Sequence, residues 1–249
     1  NTAAVHSSIL ILSGLAMLTH TSKEFDKELE AIRTNVLELG GLVEGMIKSA
    51  IQGLEEADIP LLKDVLQREK QVNRLEVEID DQCNHIIARR QPTAFDLRFV
   101  LTCMKMIRDL ERIGDEAEKI ARMALFIHES NARFTPRIEL SSMYGVVMKM
   151  MRQSLDGFAR NDSSSLPDVI REDISVDDQF RNTLRLLISY MIEDSRTISR
   201  SIDLLFIAKA LERIGDHSKN MSEHVVYMVK GKDIRHQDID DAEKQVQAS

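Results

Sequence analysis

The stretch Leu110-Glu111-Arg112-Ile113-Gly114-Asp115 occurs a second time, residue for residue, as Leu211-Glu212-Arg213-Ile214-Gly215-Asp216. A six-residue identity within 249 residues is very unlikely to arise by chance, and it indicates an internal repeat. Both copies lie in segments whose apolar residues recur at helical spacing, and each copy carries a Glu and an Asp four positions apart. Side chains at that spacing share one face of a helix. The sequence therefore predicts a duplicated helical unit with a pair of carboxylates in each half.

The composition agrees with an all-helical chain. It contains no Trp, ten Gly, four Pro and 30% charged residues, and no segment alternates at period two for long enough to predict a strand. The net charge of −8 argues against a dedicated nucleic-acid-binding protein, because such proteins usually present a basic surface. The two cysteines, Cys83 and Cys103, fall in apolar helical patterns and are predicted to be small core residues.

Prolines mark the expected helix boundaries, because a proline is tolerated in the first turn of a helix but not in its interior. The four are Pro60, Pro92, Pro136 and Pro167. They divide the chain into five segments, and Asp194-Ser195 divides the last of these into a fifth and a sixth helix. Of the six predicted helices, the third spans 94–129, the fourth spans 136–160 and the sixth ends near Gly231. Long helices with short connections pack as up-down neighbours. We therefore predict an all-α fold, a tandem duplication of two antiparallel three-helix bundles at 21–132 and 133–232.

The two ends of the chain are expected to lie outside the bundles. Residues 1–20 include an apolar run of ten residues from Ile9 to Leu18. A membrane span takes about 20 such residues, and no Lys or Arg precedes the run as in a signal peptide. We expect the first helix to begin only at a cap formed by Thr21 or Ser22, which leaves 1–20 as an extension without an assigned role. Residues 233–249 are charged and poor in apolar side chains, and they are predicted to form a C-terminal tail.

Further acidic residues follow the same duplication. The pattern Glu69-x-x-Val72-Asn73 is echoed by Asp173-x-x-Val176-Asp177, and a helical projection puts these residues beside the apolar stripes of the second and fifth helices. Packing against the repeat copies would gather carboxylates in one groove per bundle, where like charges raise one another's pKa. Salt bridges are one way to neutralise them, and the cations considered are Lys105, Arg108, Arg112 and Arg213. The other way is a metal ion with oxygen ligands, which favours hard cations such as Fe, Mn, Mg or Ca.

The histidines do not predict a catalytic site. None follows a Glu by three positions, so the Glu-x-x-His pairs of ferritin-like di-iron proteins are missing. His217 follows the second repeat copy, but its counterpart in the first half is Glu116, so we predict a surface residue. The sequence shows no Gly-rich phosphate loop and no nucleophile elbow. We therefore predict that the protein is not an enzyme.

At these residues the chain closely resembles the PhoU family, the bacterial accessory and regulatory proteins of high-affinity phosphate uptake. The resemblance covers about residues 20–236, and motifs in both halves carry it. Those of the first half are Glu69-x-x-Val72-Asn73 with Glu76-x-x-x-Asp80, Arg90-Gln91-Pro92-Thr93-Ala94-x-Asp96-Leu97-Arg98 and the first repeat copy. Those of the second half are Glu172-Asp173-x-x-Val176-Asp177, Met191-x-Glu193-Asp194-Ser195-Arg196 and the second repeat copy. The resemblance implies a PhoU-like fold of two three-helix bundles.

The resemblance also implies metal clusters, iron among them, bound through E/DxxxD motifs. By this analogy the ligands of the first site are Glu69, Asn73, Glu76, Asp80, Glu111 and Asp115. Those of the second site are Asp173, Asp177, Glu212 and Asp216. The second site has fewer acids, because Phe180 and Leu184 align with Glu76 and Asp80. A role in closing the groove or in binding a partner is assigned to two matching pairs, Asp96 with Arg98 and Asp194 with Arg196.

The role that the resemblance implies is regulatory. Family members contact the phosphate ABC transporter and the sensor histidine kinase of the phosphate-starvation response, and they keep that response off when phosphate is plentiful. The resemblance implies a cytoplasmic homodimer that reaches the inner membrane only through its partners. Two alternatives remain open. One is a carboxylate-bridged metalloenzyme, either an oxidase or a hydrolase; the other is a structural helical module whose acids form only salt bridges.

Overall fold

The computed structural model describes residues 2–92, 94–129, 136 and 138–234, and within 2–22 it describes only the backbone. The described residues form six α-helices and no strand. The helices are α1 Thr2–Glu56, α2 Ile59–Arg90, α3 Ala94–Glu129, α4 Ser141–Arg160, α5 Leu166–Glu193 and α6 Ile198–Lys230. A short 3₁₀ helix, Ser195–Thr197, lies between α5 and α6. Helices α1–α3 form one bundle and α4–α6 the other, which confirms the predicted all-α fold with two three-helix bundles.

Local sequence signals explain most helix boundaries. The carboxylate of Asp58 caps α2 by accepting a hydrogen bond from the backbone N–H of Leu61 at 2.9 Å, and Pro60 occupies the first turn. Helix α6 is capped at its C-terminal end by Gly231, whose φ of +70° suits glycine better than any other residue.

Pro136 does not open α4 as predicted, since the helix begins only at Ser141. A proline permits a helix start without requiring one, and the buried stripe of α4 begins only at Met143.

The predicted start of the first helix was also wrong. Helix α1 begins at Thr2 and continues through the expected cap at Thr21 and Ser22 without a break. The segment 2–22 contains no proline, and once a helix is nucleated each added residue contributes one more backbone hydrogen bond. Over the part of the chain that the structure describes, no helix is both long and apolar enough to cross a membrane.

Only the beginning of the predicted charged tail can be compared with the structure. Residues 235–249 lie outside the described residues. Ile234, just before them, is buried with Leu166 and Ile170 of α5 and Val226 of α6. The start of the tail is therefore packed against the second bundle.

Helices α3 and α6 form the most extensive helix–helix contact, and this contact joins the two bundles. The two helices run antiparallel, with each reaching the far end of the other. Arg98, near the start of α3, donates to the carbonyl oxygen of Met228 at 3.4 Å. Arg200, near the start of α6, donates to the carbonyl oxygen of Phe126 at 2.7 Å. These reciprocal contacts relate the two bundles, each of which contains one copy of the repeat, by an approximate twofold axis.

A buried polar cluster lies in the middle of the α3–α6 contact. The two carboxylate oxygens of Asp109 lie 2.9 Å from Nδ1 of His217 and 3.0 Å from Nε2 of His224. Burial alone would raise the pKa of Asp109, but the hydrogen bonds from the two imidazoles outweigh it and hold that pKa below its usual value. The prediction that His217 lies on the surface was therefore wrong. Its first-half counterpart, Glu116, lies in the same contact, 3.1 Å from the guanidinium of Arg213.

A cation–aromatic contact ties α1 to α4. The guanidinium of Arg33 lies 4.6 Å from the ring centroid of Phe99 and 5.4 Å from that of Phe158, and the two rings are stacked with centroids 5.9 Å apart. The same guanidinium donates to the carbonyl oxygen of Phe158 at 2.8 Å and to Oδ1 of Asn161 at 3.2 Å. One arginine of the first bundle thus satisfies polar groups at the C-terminal end of a helix in the second.

We expect Arg33→Ala to lower the free energy of unfolding by about 2 kcal/mol, because it removes the cation–π contacts and the 2.8 Å hydrogen bond to the Phe158 carbonyl oxygen, which then keeps the longer bond from the N–H of Asn161 at 3.4 Å. Urea unfolding followed by circular dichroism measures the change. Lys27→Ala on the same helix is the matched control, because its pair with Glu24 is exposed and 3.7 Å long, and such pairs contribute less than about 1 kcal/mol. Equal effects of the two substitutions would contradict the assigned role of Arg33.

Candidate metal-binding grooves

The two repeat copies lie in equivalent grooves, one between α2 and α3 and the other between α5 and α6. A Cβ atom added to Gly114 would lie 3.2 Å from a methyl group of Val72, and one added to Gly215 would lie 3.5 Å from the corresponding methyl group of Val176. The repeat glycines therefore let the helices approach closely at the same place in both bundles. These contacts also confirm the predicted correspondence between Val72 and Val176. We call the α2–α3 groove, with Glu111 and Asp115, groove one, and the α5–α6 groove, with Glu212 and Asp216, groove two.

Groove one gathers carboxylates from both of its helices. Burial and the charge of Asp115 raise the pKa of Glu111, and the charges of Glu76 and Glu69 on α2 raise it further. Glu69 and Glu76 therefore lie near enough to Glu111 for their charges to act on it. Burial raises the pKa of Asp115 as well, and Glu118 adds to this effect. The like charges in this groove are therefore not fully neutralised by the protein's own cations.

The cations beside groove one are held loosely at the surface. A guanidinium nitrogen of Arg112 lies 3.5 Å from a carboxylate oxygen of Glu111 and another lies 3.4 Å from one of Asp115, while the Arg112 side chain is 56% exposed. Arg122 pairs with Glu118 at 2.6 Å and is equally exposed. Exposed pairs of this kind contribute only about 0–1 kcal/mol. Both arginine side chains can therefore move away from the carboxylates at little cost in free energy.

The other two predicted ligands on α2 have local partners. Asn73 donates from its side-chain amide to Glu69 within the same helix. Asp80 accepts a hydrogen bond from Asn84 at 3.0 Å. Burial and, secondarily, the charge of Asp80 raise the pKa of Cys83 to about 12. The hydrogen-bond partner of Asp80 thus lies on its own helix, one turn further along α2.

Groove two has a different charge arrangement. The Asp173 carboxylate, 10% exposed, accepts a hydrogen bond from Nζ of Lys219 at 2.7 Å. The carboxylate of Glu212, similarly buried, accepts one from Nζ of Lys209 at 2.5 Å, and its second oxygen is buried without a hydrogen-bond partner. The remaining predicted ligand on α5, Asp177, lies 3.6 Å from an exposed arginine, Arg181. Two of the four predicted ligands in this groove are thus already paired with ammonium groups.

Asp216 lies at the solvent edge of groove two. Partial burial against the packed helices, with the nearby charges of Glu212 and Asp173, raises its pKa to about 6, although the side chain still reaches the solvent. The two lysines act in the opposite direction without cancelling this effect. Asp216 therefore changes its charge closer to neutral pH than an ordinary Asp does.

Both grooves offer oxygen donors suited to a hard cation, but neither is arranged as a finished metal site. Across the described residues, no group of three or more His, Cys, Asp or Glu side chains is placed to hold a metal ion. In groove one, the charges of Asp115, Glu76 and Glu69 all act to raise the pKa of Glu111, and the competing arginine is exposed. The donor chemistry of groove one fits a hard cation once its side chains reorient.

The four residues predicted to close a groove or bind a partner lie at helix ends. Arg98 reaches the C-terminal turn of α6, and Asp96 lies in the first turn of α3. Asp194 caps the 3₁₀ helix by accepting from the backbone N–H of Arg196 at 2.9 Å, and it also pairs with the guanidinium of Arg196 at 2.7 Å. The contact that mirrors that of Arg98 at the other end of the α3–α6 pair is made by Arg200, and the predicted correspondence of Arg98 with Arg196 stays a prediction. Partner binding by these four residues stays a prediction.

The sequence interpretation did not identify the two lysines of groove two. Of the cations that it considered, Arg112 lies beside Glu111 and Asp115, and the charge of Arg213 also acts on Asp115. Lys105 lies 4.9 Å from the ring centroid of Tyr227, at the α3–α6 contact. The sequence nonetheless contained a signal for Lys219. Lys219 follows Asp216 by three positions, and the residue three positions after Asp115 is Glu118. Aligning the two repeat copies further downstream would have revealed this reversal of charge.

Comparison with known proteins agrees with this architecture. The family model described as "PhoU domain" matches the chain twice, at residues 36–124 and 140–225. A PhoU homologue from Pseudomonas aeruginosa, described as a phosphate-specific transport system accessory protein, is 42% identical over 217 residues, covering 87% of this chain and 90% of that protein. The Escherichia coli PhoU protein, with the same description, is 42% identical over 234 residues, covering 94% of this chain and 96% of its own length.

Solved structures show the same fold. The crystal structure of PhoU from Pseudomonas aeruginosa superposes with a TM-score of 0.80 at 42% identity, covering 84% of this chain and 100% of that one. The crystal structure of the phosphate transport system regulatory protein PhoU from Streptococcus pneumoniae superposes with a TM-score of 0.77 at 26% identity, covering 84% of this chain and 98% of that one.

We expect Asp216→Asn to stabilise the protein at pH 7.5. The raised pKa means that the folded state favours the protonated carboxyl, so the stability that Asp216 contributes is present below about pH 4 and is lost as the pH rises through about 6. A permanently neutral side chain avoids this loss, and after allowance for solvent screening the gain is about 1 kcal/mol at pH 7.5 and none below about pH 4. Urea unfolding across this pH range measures it.

The matched control is Asp178→Asn, because Asp178 is exposed on α5 and pairs with Arg181 at 3.0 Å. We expect less than about 0.5 kcal/mol from this substitution at either pH. A stability difference for Asp216→Asn that does not depend on pH would show that folding does not raise the pKa of Asp216.

Proposed function

The chain belongs to the PhoU family, and we propose on this basis that it is a non-catalytic, metal-binding regulator of phosphate uptake. The observation that carries the proposal is the agreement of both repeats, in sequence and in fold, with proteins described as accessory or regulatory components of phosphate transport. That agreement spans most of this chain and most of each relative. An accessory role is also the reason to propose that the chain is not an enzyme.

The proposed mode of action is that of an adaptor. In this proposal the protein contacts the phosphate ABC transporter and the sensor histidine kinase, and it keeps the phosphate-starvation response off when phosphate is plentiful. It acts in the cytoplasm as a homodimer and reaches the membrane through its partners. The family resemblance supports these contacts, and a rigid helical frame suits them because it can present fixed surfaces to two partners.

The proposed metal site is groove one. Glu69, Glu76, Glu111 and Asp115 would hold the ion, with Glu118 at the edge of the same surface. A hard cation bound there would supply the positive charge that these facing carboxylates lack, and it would offer a coordination position to phosphate or to a carboxylate of a partner. The carboxylates come from both α2 and α3, so the ion would join the two helices. Metal binding would thus couple the stability of the first bundle to its ability to dock.

The metal proposal is tested by loading the purified protein with manganese(II) or iron and measuring the bound metal after dialysis. We expect stoichiometric metal in the wild-type protein and its loss in Glu111→Ala/Asp115→Ala. Chelation is expected to lower the free energy of unfolding by about 3 kcal/mol if the metal was present at 100 times its dissociation constant. Glu30→Ala is the control, because Glu30 is exposed on α1 and has only a 3.6 Å pair with Arg33. A metal-free wild type, equally stable with and without a chelator, would leave the acids as salt-bridge partners.

The regulatory proposal is tested in a bacterium from which the resident PhoU gene has been deleted. We expect expression of this chain to restore repression of a phosphate-starvation reporter, at least about tenfold, in phosphate-rich medium. The variant Glu111→Ala/Asp115→Ala is expected to restore less, and Lys27→Ala as much as the wild type. Full derepression despite equal amounts of folded protein would overturn the regulatory proposal for this chain in that host.

A further inference from the structure

Lys219 occupies the position in groove two at which groove one has a carboxylate. The residue three positions after Asp115 is Glu118, and the residue three positions after Asp216 is Lys219. The ammonium group of Lys219 donates to Asp173 at 2.7 Å, and the lysine side chain is only 32% exposed. A metal ion that used Asp173 would have to displace this ammonium group from a carboxylate that is 90% buried. The metal would then compensate Asp173, but the part-buried ammonium group of Lys219 would lose its partner.

Lys209 places a second ammonium group in the same groove. Its Nζ lies 2.5 Å from a carboxylate oxygen of Glu212 and 5.2 Å from the ring centroid of Phe180. Phe180 aligns with Glu76, so the substitution removes one acid and provides an aromatic face that attracts the ammonium group. The ring and the lysine thus act together to neutralise Glu212.

Two of the four predicted ligands in groove two, Asp173 and Glu212, are therefore already occupied by ammonium groups. The second carboxylate oxygen of Glu212 is buried without a hydrogen-bond partner, but calcium takes six to eight oxygen ligands and magnesium takes six. Asp177 lies beside Arg181, and Leu184 aligns with Asp80. In groove one, by contrast, the neutralising group is Arg112, which is 56% exposed and free to leave the carboxylates.

We propose that Lys209 and Lys219 act as built-in cations that close groove two to metal ions, so that the protein binds metal in groove one alone. This inference rests on the proposed metal binding of groove one. It assigns the two halves of the repeat different tasks: the first half responds to metal, and in the second half lysines occupy the buried carboxylates of Asp173 and Glu212.

The test is reciprocal substitution, with manganese(II) bound after equilibrium dialysis as the readout. In the wild type we expect Glu111→Ala to lower bound manganese at least about tenfold and Glu212→Ala to leave it unchanged. Phe180→Glu/Lys219→Glu restores the acids that groove one carries at these positions, and it is expected to raise the manganese content about twofold. Glu118→Lys places the lysine in groove one and is expected to remove the metal there.

A second pair of substitutions guards against loss of folding. Lys209→Gln/Lys219→Gln removes both ammonium charges while retaining much of the side-chain length, and it is also expected to add a manganese site. Circular dichroism establishes that each variant is folded. The inference is overturned if Glu212→Ala halves the manganese content of the wild type, or if neither folded variant of groove two gains manganese. If the wild type binds no manganese, the proposed metal function of groove one is overturned. The groove-two variants then still test whether Lys209 and Lys219 keep metal ions out of groove two, because only in that case do the variants gain manganese.

Discussion

The antiparallel contact between α3 and α6 is the constraint on which the remaining arrangement depends. Each of these helices carries one copy of the repeat, and each also packs against the two other helices of its own bundle. At the ends of the contact, Arg98 and Arg200 bind the last carbonyl groups of the opposite helix, and in its middle Asp109 binds two imidazoles. Since α3 and α6 fix each other, the grooves that flank them are fixed as well, at related positions on either side of the pseudo-twofold axis.

Equivalent backbones carry unequal charges in these grooves. Gly114 and Gly215 bring the neighbouring helices to the same closeness, against Val72 and Val176. The side chains around these contacts then differ. In groove one, carboxylates face one another and the arginine beside them is exposed, whereas in groove two lysines bind the buried carboxylates directly. Geometry alone therefore does not determine what a groove of this kind can bind; the balance between its resident anions and cations does.

Local signals in the sequence predicted the helices well and the long-range pairs poorly. The third helix was predicted from Ala94 to Glu129, as found, because Pro92 stops the helix before it. The start of α4 was missed because Pro136 permits a helix without forcing one. The bond between Asp109 and His217 depends on the register of two helices whose contacting residues lie far apart in the chain, and no local pattern encodes that register. The placement of Glu69 and Glu76 near Glu111 was predictable. Helical periodicity and the internal repeat both restrict which residues of α2 can lie beside the repeat copy on α3.

The covalent linkage of the two repeats has a consequence for how such a protein can evolve. In a symmetric dimer of a single repeat, every substitution appears in both sites at once, so a lysine that blocks one groove would block its twin. A duplicated gene segment removes this restriction, because Glu118 and Lys219 are encoded at separate positions and can change independently. Fusion of the repeats therefore allows one half to retain a demanding chemical task while the other drifts toward a purely supporting one.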